Sequence, residues 1–480
     1  MAKRALLVVK DVSGVASLAE RLVADFGFDL LANEIAGEAL RAKRIAYEPV
    51  SEIDAAAMVA SKESEIVLVI ANFVDVESAG RAFLSWKSAL GAFDRGIVDA
   101  IRAAAFAVDR VAVLGNPSDY EAALSELNSR AGKLSQPFRM QRATAALRAA
   151  SEFDFAVAQY LEVQGADAPD MGALSGYSKA MRFAWPRAQL LDTGENGHQL
   201  AAVYGSFFDH FELKSGGKLD YASVLTVSRA AYFIGEFEKP AAALLRNGKI
   251  VTARVGDDLQ AVTRKVLKHR DSVGAWLVVN GSLGRSNLQS GVEGRLRGIL
   301  APDFSEEELV ALRQVESVTA LSSISGMGYE ALQEVRSVVG GVLVQDKDRV
   351  AVNPMEWTVL SLAQPLVEDW ESLMFGAKIV RHADSAAVAI ISGEQLISLE
   401  VGRYAPKLAW NAVEESGIGL ANTVAVFDVP EVEPVCLTRM KELGVRAVLL
   451  PMGGEVEALR QAANDCGLVL LGMSKGMRRL

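Results

Sequence analysis

Two glycines set around an amide, followed by an imidazole and a second amide, make up Gly194-Glu195-Asn196-Gly197-His198-Gln199. Side chains of this kind in a polar loop suit a turn that contacts a ligand, with Gly194, Asn196, His198 and Gln199 as the binding candidates. The same chemistry also fits a surface turn with a satisfied histidine. Asp11 and Asn72 each follow an apolar run, which puts them at the carboxyl ends of strands, where open α/β sheets gather their ligands. Gly453-Gly454 opens a helical pattern and could hold an anion at the positive end of its dipole, or only turn the chain; Gly340-Gly341 is a second such pair, entering a strand. The four histidines and two cysteines form no zinc pattern, so no metal site is expected, and His210 and His269 read as surface histidines.

The elements that must position these residues alternate in kind. Ala5 to Val9 reads as a parallel-type strand, with a helix from about Val15 to Phe26, a strand at Asp29 to Ala32 and a helix near Ala36 to Lys43. Ile66 to Ala71 is apolar on both faces and ends at Asn72. Asp94 to Val108 reads as a helix, Arg110 to Leu114 as a strand, and Gln136 to about Val163 as one or two long helices. This is a doubly wound α/β pattern. A stretch with Gly165, Pro169, Gly172, Gly176 and Pro186 marks a domain boundary, giving one domain over 1–175 and another over 186–480. In the second, Ala201 to Phe207, Ala242 to Leu245, Trp276 to Asn280 and Val342 to Gln345 read as strands, with helices near Tyr221 to Phe237 and Ser305 to Val315. Arg446 to Leu471 forms one βαβ unit around a helix from Glu455 to Cys466.

Composition narrows the function. A 480-residue chain, 50% hydrophobic and 23% charged, can bury large cores, and its net charge of −10 argues against affinity built on nucleic-acid phosphates. Cys436 and Cys466 are too few for a disulfide framework, which suits a reducing cytoplasm. No apolar run is long enough for a membrane span, and Lys10-Asp11 ends the first run too early for a signal peptide, so no membrane partner is expected.

The Gly194 stretch resembles the Gly-Glu-Asn-Pro-His-Gln segment of the AICAR formyltransferase/IMP cyclohydrolase family. Further matches follow in the same order along the chain: Arg4-Ala5-Leu6-Leu7 with Asp11 and Ser13-Gly14, Ile101-Arg102-Ala103-Ala104-Ala105, and Asn116-Pro117-Ser118-Asp119-Tyr120. Phe237 to Ala242, Ala301 to Glu307, Arg336 to Gln345 and Phe375 to His382 continue them. The resemblance implies an N-terminal methylglyoxal-synthase-like domain for ring closure and a C-terminal, duplicated cytidine-deaminase-like domain for formyl transfer. It also implies a homodimer, a purine nucleotide or folate ligand, and 10-formyl-tetrahydrofolate as cosubstrate with no tightly bound cofactor. His382 falls in register with a family histidine and is the catalytic candidate; Gly340, Gly341, Gln345 and Asp271 join the binding candidates.

The chemistry departs from the pattern. Where the family has its catalytic Lys-His, this chain has Arg246-Asn247-Gly248-Lys249, and neither a permanently protonated guanidinium nor an amide can relay a proton. Asp192 stands where the resemblance places a phosphate-binding arginine. The Ser-Thr-Gly-Gly-Thr phosphate nest is Ala32-Asn33-Glu34-Ile35-Ala36-Gly37 here, and an alanine-rich helix replaces the segment that supplies a lysine to the ring closure. A divergent homologue impaired in both reactions is therefore expected. The alternatives are an active formyltransferase of purine biosynthesis, or a redirected enzyme in which His382, Asp271 or Lys249 serves another substrate.

Overall fold

The computed structural model describes residues 3–73, 76, 86–93, 95–164, 177, 179–284, 287–288, 296–313, 319–323, 333–348, 351–402, 410–411, 413, 417, 419–429, 432–453 and 456–473. The chain divides into two compact units, Met1–Ala184 and Trp185–Leu480.

In the first unit, β1 (Lys3–Val8), β2 (Phe28–Ala32), β3 (Glu48–Pro49), β4 (Ile66–Ala71) and β5 (Ala112–Leu114) form a five-stranded sheet in the order β3-β2-β1-β4-β5. Every pairing is parallel. A parallel sheet has helices on both faces, so its strands must be apolar on both. Accordingly Leu6 and Val8 enter one core while Ala5, Leu7 and Val9 enter the other. The first core is covered by α3 (Glu52–Ala60), α5 (Arg95–Phe106) and α7 (Gln136–Gln164), the second by α1 (Val15–Phe26), α2 (Glu34–Ala42) and α6 (Tyr120–Ser129); α4 (Trp86–Ala92) lies between α3 and α5 in sequence. Strand order reverses between β1 and β4, which makes the ends of these two strands the crevice of the unit. The long pattern from Gln136 is one helix of 29 residues. Helix α2 starts two residues earlier than the apolar spacing suggests, because the Asn33 side chain caps it.

Among the described residues the second unit holds two small ribbons and one large sheet. β6 (Arg187–Leu191) pairs with β7 (Ala201–Tyr204), and β14 (Gln333–Val338) with β15 (Gly341–Asp346), both antiparallel. The sheet contains β8 (Phe211–Ser215), β9 (Ala241–Arg246), β10 (Lys249–Val255), β11 (Trp276–Val279), β12 (Gly298–Ala301), β13 (Thr319–Ser323), β16 (Trp357–Val359), β17 (Ala387–Ser392), β18 (Gln395–Val401), β19 (Thr423–Phe427), β20 (Val445–Pro451) and β21 (Val469–Met473). Their order is β16-β21-β20-β19-β17-β18-β10-β9-β11-β12-β13-β8. Read from either end the connectivity is the same, so the unit is a duplicated α/β repeat joined where β10 meets β18.

The symmetry extends to single hydrogen bonds. Ala241 N donates to Asn280 Oδ1 at 2.8 Å at the start of β9, and Ala387 N donates to Asp428 Oδ1 at 2.6 Å at the start of β17. Helix α9 (Tyr221–Ile234) precedes β9 as α12 (Val367–Val380) precedes β17, and both pack into one core that spans the two repeats. Gly376 lets α12 approach, since a β-carbon there would stand 2.6 Å from Val426. On the other face α10 (Leu259–Leu267) and α11 (Glu306–Arg313) cover the first repeat, and α13 (Pro434–Glu442) and α14 (Val456–Cys466) the second.

Two expectations are corrected here. The strand expected to run from Ala201 to Phe207 stops at Tyr204, because Gly205 takes a φ of 94° and α8 (Phe207–His210) follows Ser206 as a single helical turn. The helix expected to reach Phe237 ends at Ile234. Trp276 is 2% exposed and belongs to the core, as its apolar strand suggests.

Candidate functional site

In the second unit the segment that would carry the proton shuttle is a tight hairpin turn between β9 and β10. Arg246 pairs with Lys249, and the two residues between them have positive φ, 50° at Asn247 and 75° at Gly248. An Asn-Gly pair in these conformations is the preferred two-residue hairpin loop. The turn is fixed from both sides. Gly248 N donates to the Thr226 hydroxyl at 2.9 Å, and Arg229 donates to Gly248 O at 3.3 Å. The Arg246 guanidinium donates to Asp271 O at 2.8 Å and also to Val273 O. Asp271 thus meets this arginine through its backbone, while its own N–H donates to His269 Nδ1 at 3.2 Å.

His382 lies two residues past α12, and its Nε2 is 3.1 Å from Glu236 Oε1, itself two residues past α9. The two residues are 146 apart in sequence, the same separation as the strand starts Ala241 and Ala387, so they occupy equivalent places in the two repeats. Arg381 reaches the same carboxylate at 3.2 Å, and Lys378 Nζ donates to Glu236 O at 2.6 Å. Phe233 meets the imidazole edge-on at 5.4 Å. Burial disfavours the Glu236 charge, yet the hydrogen bond and charge of His382 and the charges of Arg381 and Lys378 outweigh it, holding the carboxyl below its ordinary range. An imidazole held by a carboxylate is an arrangement that can move a proton.

The Gly194 loop closes the β6–β7 ribbon and turns on itself. Gly194 N donates to Gln199 O at 2.8 Å, Gln199 N to Asn196 O at 3.0 Å, and Asn196 N to Gln199 Oε1 at 2.8 Å. His198 is exposed on this loop. Gly340 supplies the turn of the β14–β15 ribbon with a φ of 78°, Gly341 begins β15, and Gln345 Nε2 crosses the ladder to Glu334 Oε2 at 2.9 Å. Gly453 is described, whereas Gly454 lies outside the described residues.

In the first unit Asp11 and Asn72 do come together. Asn72 Oδ1 accepts from Lys10 N and Asp11 N, both at 2.8 Å, and its Nδ2 donates to Asp11 O at 2.8 Å. The hydroxyl and N–H of Ser13 lower the Asp11 pKa. Burial, helped by the nearby Asp11 charge, pushes the Tyr120 phenol up to about 12. The neighbouring end of β2 is occupied by Asn33, which binds Glu52.

Motif reading overlooks Glu236 and Glu52, and it passes through Lys378, Arg381 and Asn33 without giving them a role. A signal for Glu236 exists: superposing Gly235-Glu236-Phe237-Glu238-Lys239-Pro240-Ala241 on Arg381-His382-Ala383-Asp384-Ser385-Ala386-Ala387 puts it opposite His382. Among the described residues no group of three or more His, Cys, Asp or Glu is arranged to hold a metal ion.

A family profile described as the AICARFT/IMPCHase bienzyme matches residues 104–406. The bifunctional purine biosynthesis protein PurH of Chloroflexus aurantiacus is 26% identical over 510 residues, which cover 98% of this chain and 97% of that one. The protein of the same name from Synechococcus elongatus is 27% identical over 440 residues, covering 88% and 82%. A crystal structure of ForH, 20% identical, covers 34% of this chain and 100% of its own at a TM-score of 0.29.

Proposed function

The chain belongs to the AICARFT/IMPCHase bienzyme family, and from that membership we propose that it is a divergent member impaired in both family reactions. One observation carries this reading. The segment in the place of the family's proton shuttle is an Asn-Gly hairpin turn, tied down by Thr226, Arg229 and the Arg246 contacts, with no group that titrates near neutrality between Arg246 and Lys249. Formyl transfer to a weakly nucleophilic amine needs a group that accepts and returns a proton, and a guanidinium does neither.

The remaining parts of the reading follow from the family. Residues 1–175 are assigned to the cyclohydrolase-like domain and 186–480 to the formyltransferase-like domain, in keeping with the two compact units. The retained ligand is a purine nucleotide or a folate. A homodimer is supported by the β14–β15 ribbon, whose Val339, Leu343 and Val338 are 105%, 63% and 45% exposed. A lone two-stranded ribbon is marginal in water, and apolar side chains on it call for a cover. A cytoplasmic protein is in keeping with the cysteine usage; no helix among the described residues is long and apolar enough to cross a membrane.

A second reading is favoured by the Glu236–His382 pair: an enzyme redirected to another substrate, with His382 as its base and Glu236 orienting it. A ligand panel separates the two. Under the first reading, AICAR, IMP or a formyl-folate at about a hundred times its dissociation constant stabilises the protein by roughly 2.7 kcal/mol, without turnover in the cyclisation assay. IMP formation from the formylated nucleotide would overturn the first reading. A melting curve unmoved by all three ligands would remove retained binding and leave a role without them.

A further inference from the structure

Three side chains from separate elements meet where β1 and β2 end. Lys10 follows β1, Asn33 caps α2, and Glu52 opens α3. Glu52 Oε1 lies 3.2 Å from Lys10 Nζ and accepts from Asn33 Nδ2 at 2.8 Å. Asn33 is itself 1% exposed and held in place, with Oδ1 accepting from Ala36 N at 3.1 Å and Nδ2 donating to Val9 O at 3.0 Å. An ammonium and an amide N–H beside the amino terminus of a nine-residue helix are the groups that bind a small anion. One carboxylate oxygen of the same chain engages both. The Lys10 and Glu52 side chains keep 23% and 27% of their exposure, so the contact sits at the mouth of the sheet end and not in the core.

We propose that Glu52 is a built-in anion, an autoinhibitory contact that engages the donors of Lys10 and Asn33 and shuts the end of the β1–β2 pair to phosphate. The inference rests on the reading that the first unit no longer processes a nucleotide, and it names the device responsible. A phosphate beside Lys10 would face the Glu52 charge at a few ångströms, and like charges at that range weaken binding by more than about tenfold in a partly exposed site. Glu34 adds a second carboxylate, in the first turn of α2. Nothing in the residues around Glu52 marks it in sequence, since it reads as the acidic first turn of an ordinary helix.

The test titrates inorganic phosphate, against chloride at equal ionic strength, into the full-length wild type, Glu52→Ala, Glu52→Gln and the double variant Lys10→Ala/Glu52→Ala. Near-ultraviolet circular dichroism confirms that each is folded. The wild type is expected to show no saturable response, and Glu52→Ala to bind phosphate at least about tenfold more tightly, with the gain lost in the double variant. Glu52→Gln keeps an acceptor for Asn33 while removing the charge, so it carries the test if the alanine variant does not fold; it too should gain phosphate binding. Folded Glu52 variants that stay indifferent to phosphate overturn the proposal, as does a wild type that binds phosphate equally well. IMP formation by the wild type would instead strike at the proposed function, so the two failures are distinguishable.

Discussion

Glu236 keeps its charge against burial because His382, Arg381 and Lys378 surround it, and that balance makes acid stability the place to see it. A carboxylate whose folded pKa is depressed contributes stability that is present above its ordinary value of 4.5 and lost as the pH falls through the lower folded value. Glu236→Gln should therefore flatten the acid limb of the stability curve below about pH 4.5, read by urea unfolding across that range; an unchanged limb would contradict the pairing. Tyr120 tests the opposite limb. Its pKa is raised from 10.0 to about 12 by burial, so the stability it contributes is complete below pH 10 and drains away as the pH approaches 12. Tyr120→Phe should remove roughly 2–3 kcal/mol of that alkaline loss, two pKa units at 1.36 kcal/mol each. At this scale the sequence was partly legible. Asp11 and Asn72 follow from the rule that crevices form at strand ends, whereas Glu236 owes its place to a partner 146 residues away. Glu52 was hidden for the same reason: its partners, Lys10 and Asn33, come from other elements.

Among the elements, the β9–β10 turn is a tight hairpin within the large sheet, centred on Asn247 and Gly248. Asn247 and Gly248 adopt the positive φ values such a turn requires, and a β-carbon on Gly248 would meet Arg229 at 2.9 Å. Gly248→Ala should cost about 1–3 kcal/mol from strain and crowding together, measured by chemical denaturation; a neutral result would show the turn to be loosely held. The β14–β15 ribbon makes a different prediction. Leu343→Asp should shift the mass measured by light scattering from dimer to monomer while leaving secondary structure intact, and a wild-type monomer would contradict the homodimer. Parallel strands such as Ile66–Ala71 were plain in sequence because both faces are apolar. One strand of each ribbon was legible, β7 and β15, whereas β6, β14 and the β17–β18 hairpin were not; the β14–β15 and β17–β18 pairings are set by turns at Gly340 and Gly393, whose φ values are 78° and 58°.

For the whole molecule, the duplicated sheet of the second unit was foreseen only through the family resemblance. Its two repeats share connectivity and the hydrogen bonds at Ala241 and Ala387, yet the strands they open differ in sequence, AAALLR in β9 against AVAIIS in β17. Core positions tolerate exchange among apolar residues, so topology outlasts sequence, and site chemistry can be lost while the scaffold stays. The boundary expected between 175 and 186 rests on the glycine and proline that gather in that stretch of the sequence. The central claim is that the scaffold outlived the chemistry, and the purified protein's turnover of AICAR with 10-formyl-tetrahydrofolate, followed as tetrahydrofolate release, tests it most directly. The account predicts a rate indistinguishable from the reaction without protein; formyl transfer that disappears in His382→Ala would contradict it.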